Sequence, residues 1–263
     1  MIVDTLTHAG GDAEELRRLA ARWEISSLVF HDRVDSTQNI ARALADNGAA
    51  GWTVVVADYQ ESGRGQHGRQ WHAAPGASLM FSILLRPRSI ESVALIPIRT
   101  GLAIARALDP LLRDSARCMV KWPNDIVVRD GKAGGILCEA QMRGEDAVVI
   151  VGVGLNFDRF AIDLAERRDL PPAFLRECLR AEITRLTLLE AIIRSARAML
   201  NTSHAELQPW EMHEYETRDW LHGRTLSEPI AGTAAGITNG GELLVRGEDG
   251  EVRRVVAGRT REG

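Results

Sequence analysis

Two short segments hold the side chains best suited to chemistry. Gly63 to Trp71 reads GRGQHGRQW, Lys121 to Asp125 reads KWPND, and Lys132 follows just past an Asp-Gly pair. Glycines at 63, 65 and 68 leave the backbone free for positive φ and for close approach to a ligand. Arg64 and Arg69 add planar cationic forks whose geometry matches phosphate and carboxylate oxygens. A loop of this composition binds anions.

The same loop satisfies G-x-G-x-x-G at Gly63, Gly65 and Gly68, so a dinucleotide fold has to be weighed. An apolar run, Thr53 to Ala57, precedes it, but Arg69 to Gly76 contains Ala74-Pro75-Gly76 and opens no helix. The acidic residue that would hold a ribose about twenty positions on is replaced by Arg86, Pro87 and Arg88. The fingerprint is incomplete, and the reading is set aside.

The chain of 263 residues, 45% hydrophobic, is long enough for one large domain and one small one, each with its own core. A net charge of −4 gives no overall attraction to nucleic acid or anionic membrane, so any cationic function has to be local. Cys118, Cys138 and Cys178 are odd in number and lack metal-ligand or C-x-x-C spacing, which suits free thiols in a reducing compartment. The N-terminus carries no signal-peptide pattern, and no apolar run approaches the roughly 18 residues of a spanning helix. A cytoplasmic protein that touches no membrane and no nucleic acid is expected.

Ala13 to Trp23 has a helical mix of leucines and charges, and an extended segment from Leu28 leads to Asp35-Ser36-Thr37. Ser36 or Thr37 is a natural N-cap for a helix with Ile40, Ala41, Leu44 and Ala45 on its apolar face, closed by Asn47-Gly48. Strands at Thr53 to Ala57 and Leu79 to Leu85 flank a loop from Gln60 to Gly76. Polar loops of that length inside a compact domain are functional or mobile. Pro97 to Leu112 reads as a helix with a core face. Asp130-Gly131 between apolar runs predicts a hairpin with a type I′ turn, and Ala147 to Val151 a buried strand finishing in Gly152-Val-Gly154-Leu-Asn156. Helices dominate from Ala173 to about Arg218, with Thr187 and Glu190 forming a capping box. From Gly223, short strands separated by Asn239-Gly240-Gly241 and Asp249-Gly250 look like a small antiparallel barrel.

Taken in order, Asp35-Ser36-Thr37, Gln60, GRGQHGRQW, KWPND, Lys132 to Ile136 and Gly152 to Asn156 resemble the catalytic region of biotin protein ligases, also called biotin–acetyl-CoA-carboxylase ligases. The resemblance covers most of the chain. It implies an α+β fold: a mixed-sheet catalytic domain of the class II synthetase and biotin ligase type over residues 1–220, then a small SH3-like β-barrel over residues 221–263. It implies that biotin and ATP give biotinyl-5′-AMP and pyrophosphate, and that the adenylate then acylates a lysine on a biotin carboxyl carrier protein domain. A carboxylate of pKa near about 4 is already ionised at neutral pH, so the first step needs no general base. It needs positive charge where two anions meet, and aligned reactants.

By this resemblance Lys132 lies between the biotin carboxyl oxygens and the phosphate, with Arg64 and Lys121 as further catalytic cations; without it, Lys132 would read as a solvated edge lysine. Lys121 either reinforces that field or only holds the hairpin. Ser36, Thr37, Gln38 and Gln60 match positions around the biotin ureido ring, with Arg64, Gly65, Gln66, Gly135, Leu137, Gly152 and Gly154 completing the biotin pocket. For Ser36 and Thr37 the alternative is capping alone, and for each glycine, tight strand packing. Arg64, Gln66, Arg69, Trp71, Asn124, Asp125 and Asn156 fall on the ATP side, although Trp71 could simply anchor the loop. Asp125 could help hold Mg²⁺ or could orient the incoming lysine amine.

Three positions depart from the pattern. Gln66 stands where the family loop usually has arginine. The stretch after Asn156 offers Phe157 and Phe160 but no tryptophan to stack on adenine. Gly258-Arg259 stands where glycine and glutamate are expected. Two other readings compete: a lipoate or octanoate ligase or transferase of the same superfamily, opposed by KWPND, and a biotin-responsive repressor. The segment upstream of Asp35 is too short for a helix-turn-helix domain. A homodimer through an exposed edge strand is compatible with the sequence.

Overall fold

The computed structural model describes residues 18, 21–143, 146–161 and 170–263. Most of the helix expected over Ala13 to Trp23 lies outside them. The architecture is α+β, built on a seven-stranded mixed sheet in the order β1-β2-β3-β7-β6-β5-β4. Its strands are β1 (Ser27–Val34), β2 (Thr53–Gln60), β3 (Ser78–Leu85), β4 (Cys118–Lys121), β5 (Asp125–Val128), β6 (Gly131–Arg143) and β7 (Asp146–Asn156). Strands β1 and β2 pair parallel, as the intervening helix α1 (Thr37–Asp46) requires, and the other pairs are antiparallel.

Side-chain alternation divides the sheet's two faces. Val29, Val55, Leu84, Val148 and Ile150 face α1, where they bury Ala41 and Ala45. Val54, Val56, Phe81, Ile83, Val149, Val151 and Val153 belong to the main core with α2 (Ile96–Leu108) and α3 (Arg185–Leu200). Both faces of the central strands are therefore covered, which is why β3 is buried along its whole length.

Several local expectations are sharpened or corrected. Ser36 is the N-cap of α1 and its hydroxyl accepts from the Gln38 N–H, while Asn47 closes the helix. The β5–β6 hairpin turns on Arg129 and Asp130, both at positive φ (50° and 56°), as a type I′ turn requires; Gly131 already pairs with Val128. KWPND is itself the β4–β5 turn, with a cis Trp122–Pro123 peptide. Gly152 to Asn156 continue β7 instead of leaving it. The helix read over Pro97 to Leu112 ends its α-helical part at Leu108 and finishes in a 3-10 turn. Helix α3 is capped by Thr184, whose hydroxyl accepts from the Thr187 N–H, so Thr187 is not the cap. The capping box is at Gln208 and Glu211, opening α4 (Pro209–Glu216).

Beyond α4, β8 (Thr225–Glu228), β9 (Gly232–Ile237), β10 (Leu243–Arg246), β11 (Val252–Val255) and β12 (Arg261–Glu262) form a second, antiparallel sheet in the order β11-β10-β9-β8-β12. Leu226, Ala234, Ile237, Leu243, Val245 and Val255 join the main core. The turn at Gly241 sits on the start of α2, and its carbonyl accepts from the Trp122 indole N–H at 2.9 Å. No helix among the described residues is long and apolar enough to cross a membrane.

Candidate functional site

The ends of β1 and β2, the Gly63 to Trp71 loop, the hairpin strand β6 and the glycine stretch of β7 enclose a cavity of about 650 Å³. The loop is folded as a small hairpin: Gly65 N–H donates to Arg69 O at 2.8 Å and Trp71 N–H to Gly63 O at 2.8 Å. The Trp71 indole is thereby laid along β7. A Cβ at Gly154 would stand 2.6 Å from that indole, and one at Gly152 would stand 3.0 Å from the Gln38 amide. These glycines make room for the site's own side chains, which neither of the two readings of the sequence had supplied.

One end of the cavity is a polar network held by the α1 cap. Gln60 Oε1 accepts from the Thr37 N–H at 2.7 Å and its hydroxyl at 3.1 Å, and Gln60 Nε2 reaches Met80 Sδ at 3.3 Å. Thr37 Oγ1 lies 2.8 Å from Ser82 Oγ. Gln38 Nε2 donates to Leu137 O at 3.0 Å, whereas its buried Oε1 has no partner among the described residues. A buried acceptor of that kind costs free energy unless a ligand fills it.

At the other end stands Lys132, placed by β6 directly after the type I′ turn. Its ammonium donates to Asp125 Oδ1 at 2.5 Å, and Lys121 Nζ lies 3.9 Å from Asp125 Oδ2. One carboxylate thus serves two lysines. Among the described residues that line the cavity there are four side chains with a full positive charge, Arg64, Arg69, Lys132 and Arg259, and no carboxylate. The wall is electropositive and suits an anionic ligand.

Of the residues singled out in the sequence, Ser36, Thr37, Gln38, Gln60, Arg64, Gly65, Gln66, Arg69, Trp71, Asn124, Lys132, Gly135, Leu137, Gly152 and Gly154 all border this cavity. Three do not. Lys121 is buried behind Asp125 and donates to Thr260 O at 3.3 Å. Asp125 reaches the cavity only through Lys132. Asn156 is buried and donates from Nδ2 to Lys132 O at 3.1 Å, supporting the strand that carries the lysine. Nor does Asp125 offer a fitting cradle for a resident Mg²⁺. Both its oxygens face ammonium groups, and the described residues contain no cluster of three metal-ligating side chains.

Sequence reasoning missed several participants. Arg64 donates to Asn39 Oδ1 and to Glu139 Oε1, each at 3.0 Å, and Arg42 donates to Glu139 Oε2 at 2.6 Å, so the loop is pinned to α1 and β6. Ser82 and Met80 back the polar end, and Gln70, His72, Ala161 and Leu170 complete the wall. Phe157 is fully buried under Arg176, and Phe160 packs edge-on against Phe174, so neither ring is presented to the cavity. The rest of the stretch expected to close over adenine, residues 162–169, lies outside the described residues. The three cysteines are free, and burial pushes the Cys118 thiol far above its ordinary range.

The biotin/lipoate A/B protein ligase family matches residues 30–156. The bifunctional ligase/repressor BirA of Bacillus subtilis is 29% identical over 231 residues, which are 85% of this chain and 70% of that protein. The biotin–[acetyl-CoA-carboxylase] ligase of Paracoccus denitrificans is 36% identical over 126 residues, 47% of this chain and 52% of that one. Among solved structures, the biotin protein ligase from Aquifex aeolicus in complex with biotin and ATP superposes with a TM-score of 0.75 at 26% identity. That match covers 91% of this chain and 100% of that one.

Proposed function

We propose, from a chain whose residues 30–156 belong to the biotin/lipoate A/B protein ligase family, an ATP-dependent biotin protein ligase. Its carboxylate substrate attacks the α-phosphate of ATP, expelling pyrophosphate and forming biotinyl-5′-AMP. A lysine amine on a biotin carrier domain then attacks the acyl carbon, forming the amide and releasing AMP. The observation that carries this reading is the polarity of one cavity: a neutral, hydrogen-bonding end at Ser36, Thr37 and Gln38, and a cationic end at Lys132 and the arginine loop.

A cyclic urea needs acceptors for its N–H groups and donors for its carbonyl. Gln38 Oε1 supplies an acceptor with no partner among the described residues, and the Ser36 hydroxyl supplies a donor. Two anions that repel in water must approach at the cationic end, and fixed positive groups there lower the barrier without reorganising. Lys132 is the central cation, with Arg64 and Arg69 flanking it, Asn124 and Gln66 offering neutral hydrogen bonds, and Trp71 walling the space between the two ends. Lys121 acts by holding Asp125, which in turn fixes Lys132. Mg²⁺ is read as the counter-ion of the nucleotide's phosphates, held mainly by them.

We assign the catalytic domain to residues 1–220 and read residues 221–263 as the SH3-like barrel. Five short antiparallel strands in one sheet support this, with their apolar residues packed into the main core. The decisive experiment is ATP–pyrophosphate exchange. Biotin should stimulate it, and lipoate and octanoate should not; stimulation by either of these, or none by biotin, overturns the assignment.

A further inference from the structure

We propose that Arg42 and Glu139 are positioning residues for the adenylate: Glu139 holds the Arg64 guanidinium in a resting bond, and Arg42 stays behind on Glu139 when Arg64 turns to the ligand. The inference rests on the ligase reading and adds two residues to it. Arg64 borders two cavities, the catalytic one and a second of about 750 Å³ that shares the loop as a wall. Of these two, Glu139 and Asn39 border only the second, and Arg42 borders neither.

Four side chains close a ring. Arg64 donates from Nη2 to Glu139 Oε1 and from Nη1 to Asn39 Oδ1, each at 3.0 Å. Arg42 repeats both contacts, from Nη2 to Glu139 Oε2 at 2.6 Å and from Nη1 to Asn39 Oδ1 at 3.4 Å. Asn39 and Arg42 lie three residues apart on one face of α1, and β6 brings Glu139 to them, so three members sit on regular elements. Only Arg64 is carried by the loop. Its backbone is bridged to Gln70 across the loop hairpin, which leaves the side chain as the part that turns.

Two cations against one carboxylate repeat the arrangement of Lys132 and Lys121 around Asp125. In each cluster one cation borders the catalytic cavity and the other does not. The second cation decides what departure of the first costs. A partly buried carboxylate stripped of its counter-charge is left uncompensated, and that penalty would hold Arg64 in place. With Arg42 at 2.6 Å, Glu139 keeps a charge-assisted hydrogen bond after Arg64 has left. Arg64 then turns its planar fork to the phosphate and carboxylate oxygens that it fits.

The test uses the full chain and reads its affinity for biotinyl-5′-AMP from association and dissociation rates, so it does not depend on turnover. Arg42→Ala leaves Glu139 with Arg64 alone, and should weaken adenylate binding about threefold, the scale of one partly exposed ion pair. Glu139→Gln removes the competing charge and should tighten binding by a similar factor. In the double variant the loss caused by Arg42→Ala should vanish. A plain structural pin gives the opposite sign at Glu139, since breaking it only loosens the loop. Weaker or unchanged binding in Glu139→Gln, unchanged binding in Arg42→Ala, or a loss that persists in the double variant overturns the inference. No adenylate binding by the wild-type protein would overturn the ligase reading instead.

Discussion

Arg99 with Glu211, and Lys132 and Lys121 with Asp125, are both buried ion clusters, but they are finished differently. Arg99 and Glu211 are 1% and 2% exposed, and every donor nitrogen of the guanidinium is used. Nε and Nη2 reach Glu211, at 2.8 and 3.3 Å, while Nη1 and Nη2 reach the carbonyls of His204 and Glu206. Glu211 also accepts from the Gln208 N–H at 2.7 Å, so the pair joins α2 to the start of α4. Around Asp125 one carboxylate faces two ammonium groups, and the surplus positive charge borders an open cavity. A saturated cluster holds elements together; an unsaturated one waits for a ligand.

Breaking the saturated cluster should produce the largest effect. Glu211→Ala leaves a buried guanidinium without its counter-charge and should cost about 3–5 kcal/mol of unfolding free energy, measured by urea denaturation, with activity per folded molecule retained. Replacing both partners by apolar residues should recover much of that loss. In the unsaturated cluster the order reverses. Lys132→Ala should lower biotin-dependent exchange by about 10²- to 10³-fold, roughly 3–4 kcal/mol. The fold should survive, because Lys121 still faces Asp125. Ser36→Ala should lose less than Lys132→Ala. Near-normal exchange in the lysine variant would reduce Lys132 to a structural partner of Asp125.

The two clusters also differ in how far sequence exposes them. Lys132 was legible because a turn signal, a lysine and two flanking motifs lie within a few positions, and local chemistry leaves local traces. The Ser36 cap and the glycine and arginine loop were legible for the same reason. Arg99 and Glu211 carried no such trace: an arginine two residues past Pro97 and a glutamate in another helix become partners only when α2 and α4 pack. Glu139 with Arg42 escaped likewise, since the contact joins a distant strand and helix. Thr187 was mistaken for the α3 cap because Thr184 is an equally good capping residue, and only the entry path of the chain selects between them.

Asp219 offers an intermediate case, a buried carboxylate with no cationic side chain bonded to it among the described residues. Its Oδ1 accepts from the Leu221 N–H at 2.9 Å, and its Oδ2 is buried without a hydrogen-bond partner among the described residues. Burial pushes its pKa from 3.8 up to about 6, against smaller opposing effects of the Leu221 amide and His222. A folded-state pKa above the unfolded one means that the folded chain keeps a proton the unfolded chain releases. Stability should therefore fall as pH rises between about 4 and 6 and stay reduced above. Asp219→Asn should raise stability at pH 7.5 by about 3 kcal/mol and make no difference near pH 3. A variant equally stable or weaker at pH 7.5 would mean that water or a counter-charge already compensates Asp219.

The smallest effect is expected at Gln66, where the comparison turns on a single missing charge. Gln66 begins a 3-10 turn within the loop and borders the cavity, and its carbonyl accepts from both the N–H and Nε of Arg69. The backbone at 66 is thus set by the loop, and the side chain is open to replacement. A neutral amide contributes about 1 kcal/mol through a hydrogen bond and a charged donor about 1.5–3, so Gln66→Arg should slow dissociation of biotinyl-5′-AMP by roughly fivefold. Biotin affinity should move less, because a carboxylate alone already meets Lys132. An adenylate off-rate that is unchanged or faster in Gln66→Arg would show that residue 66 lies out of reach of the phosphate.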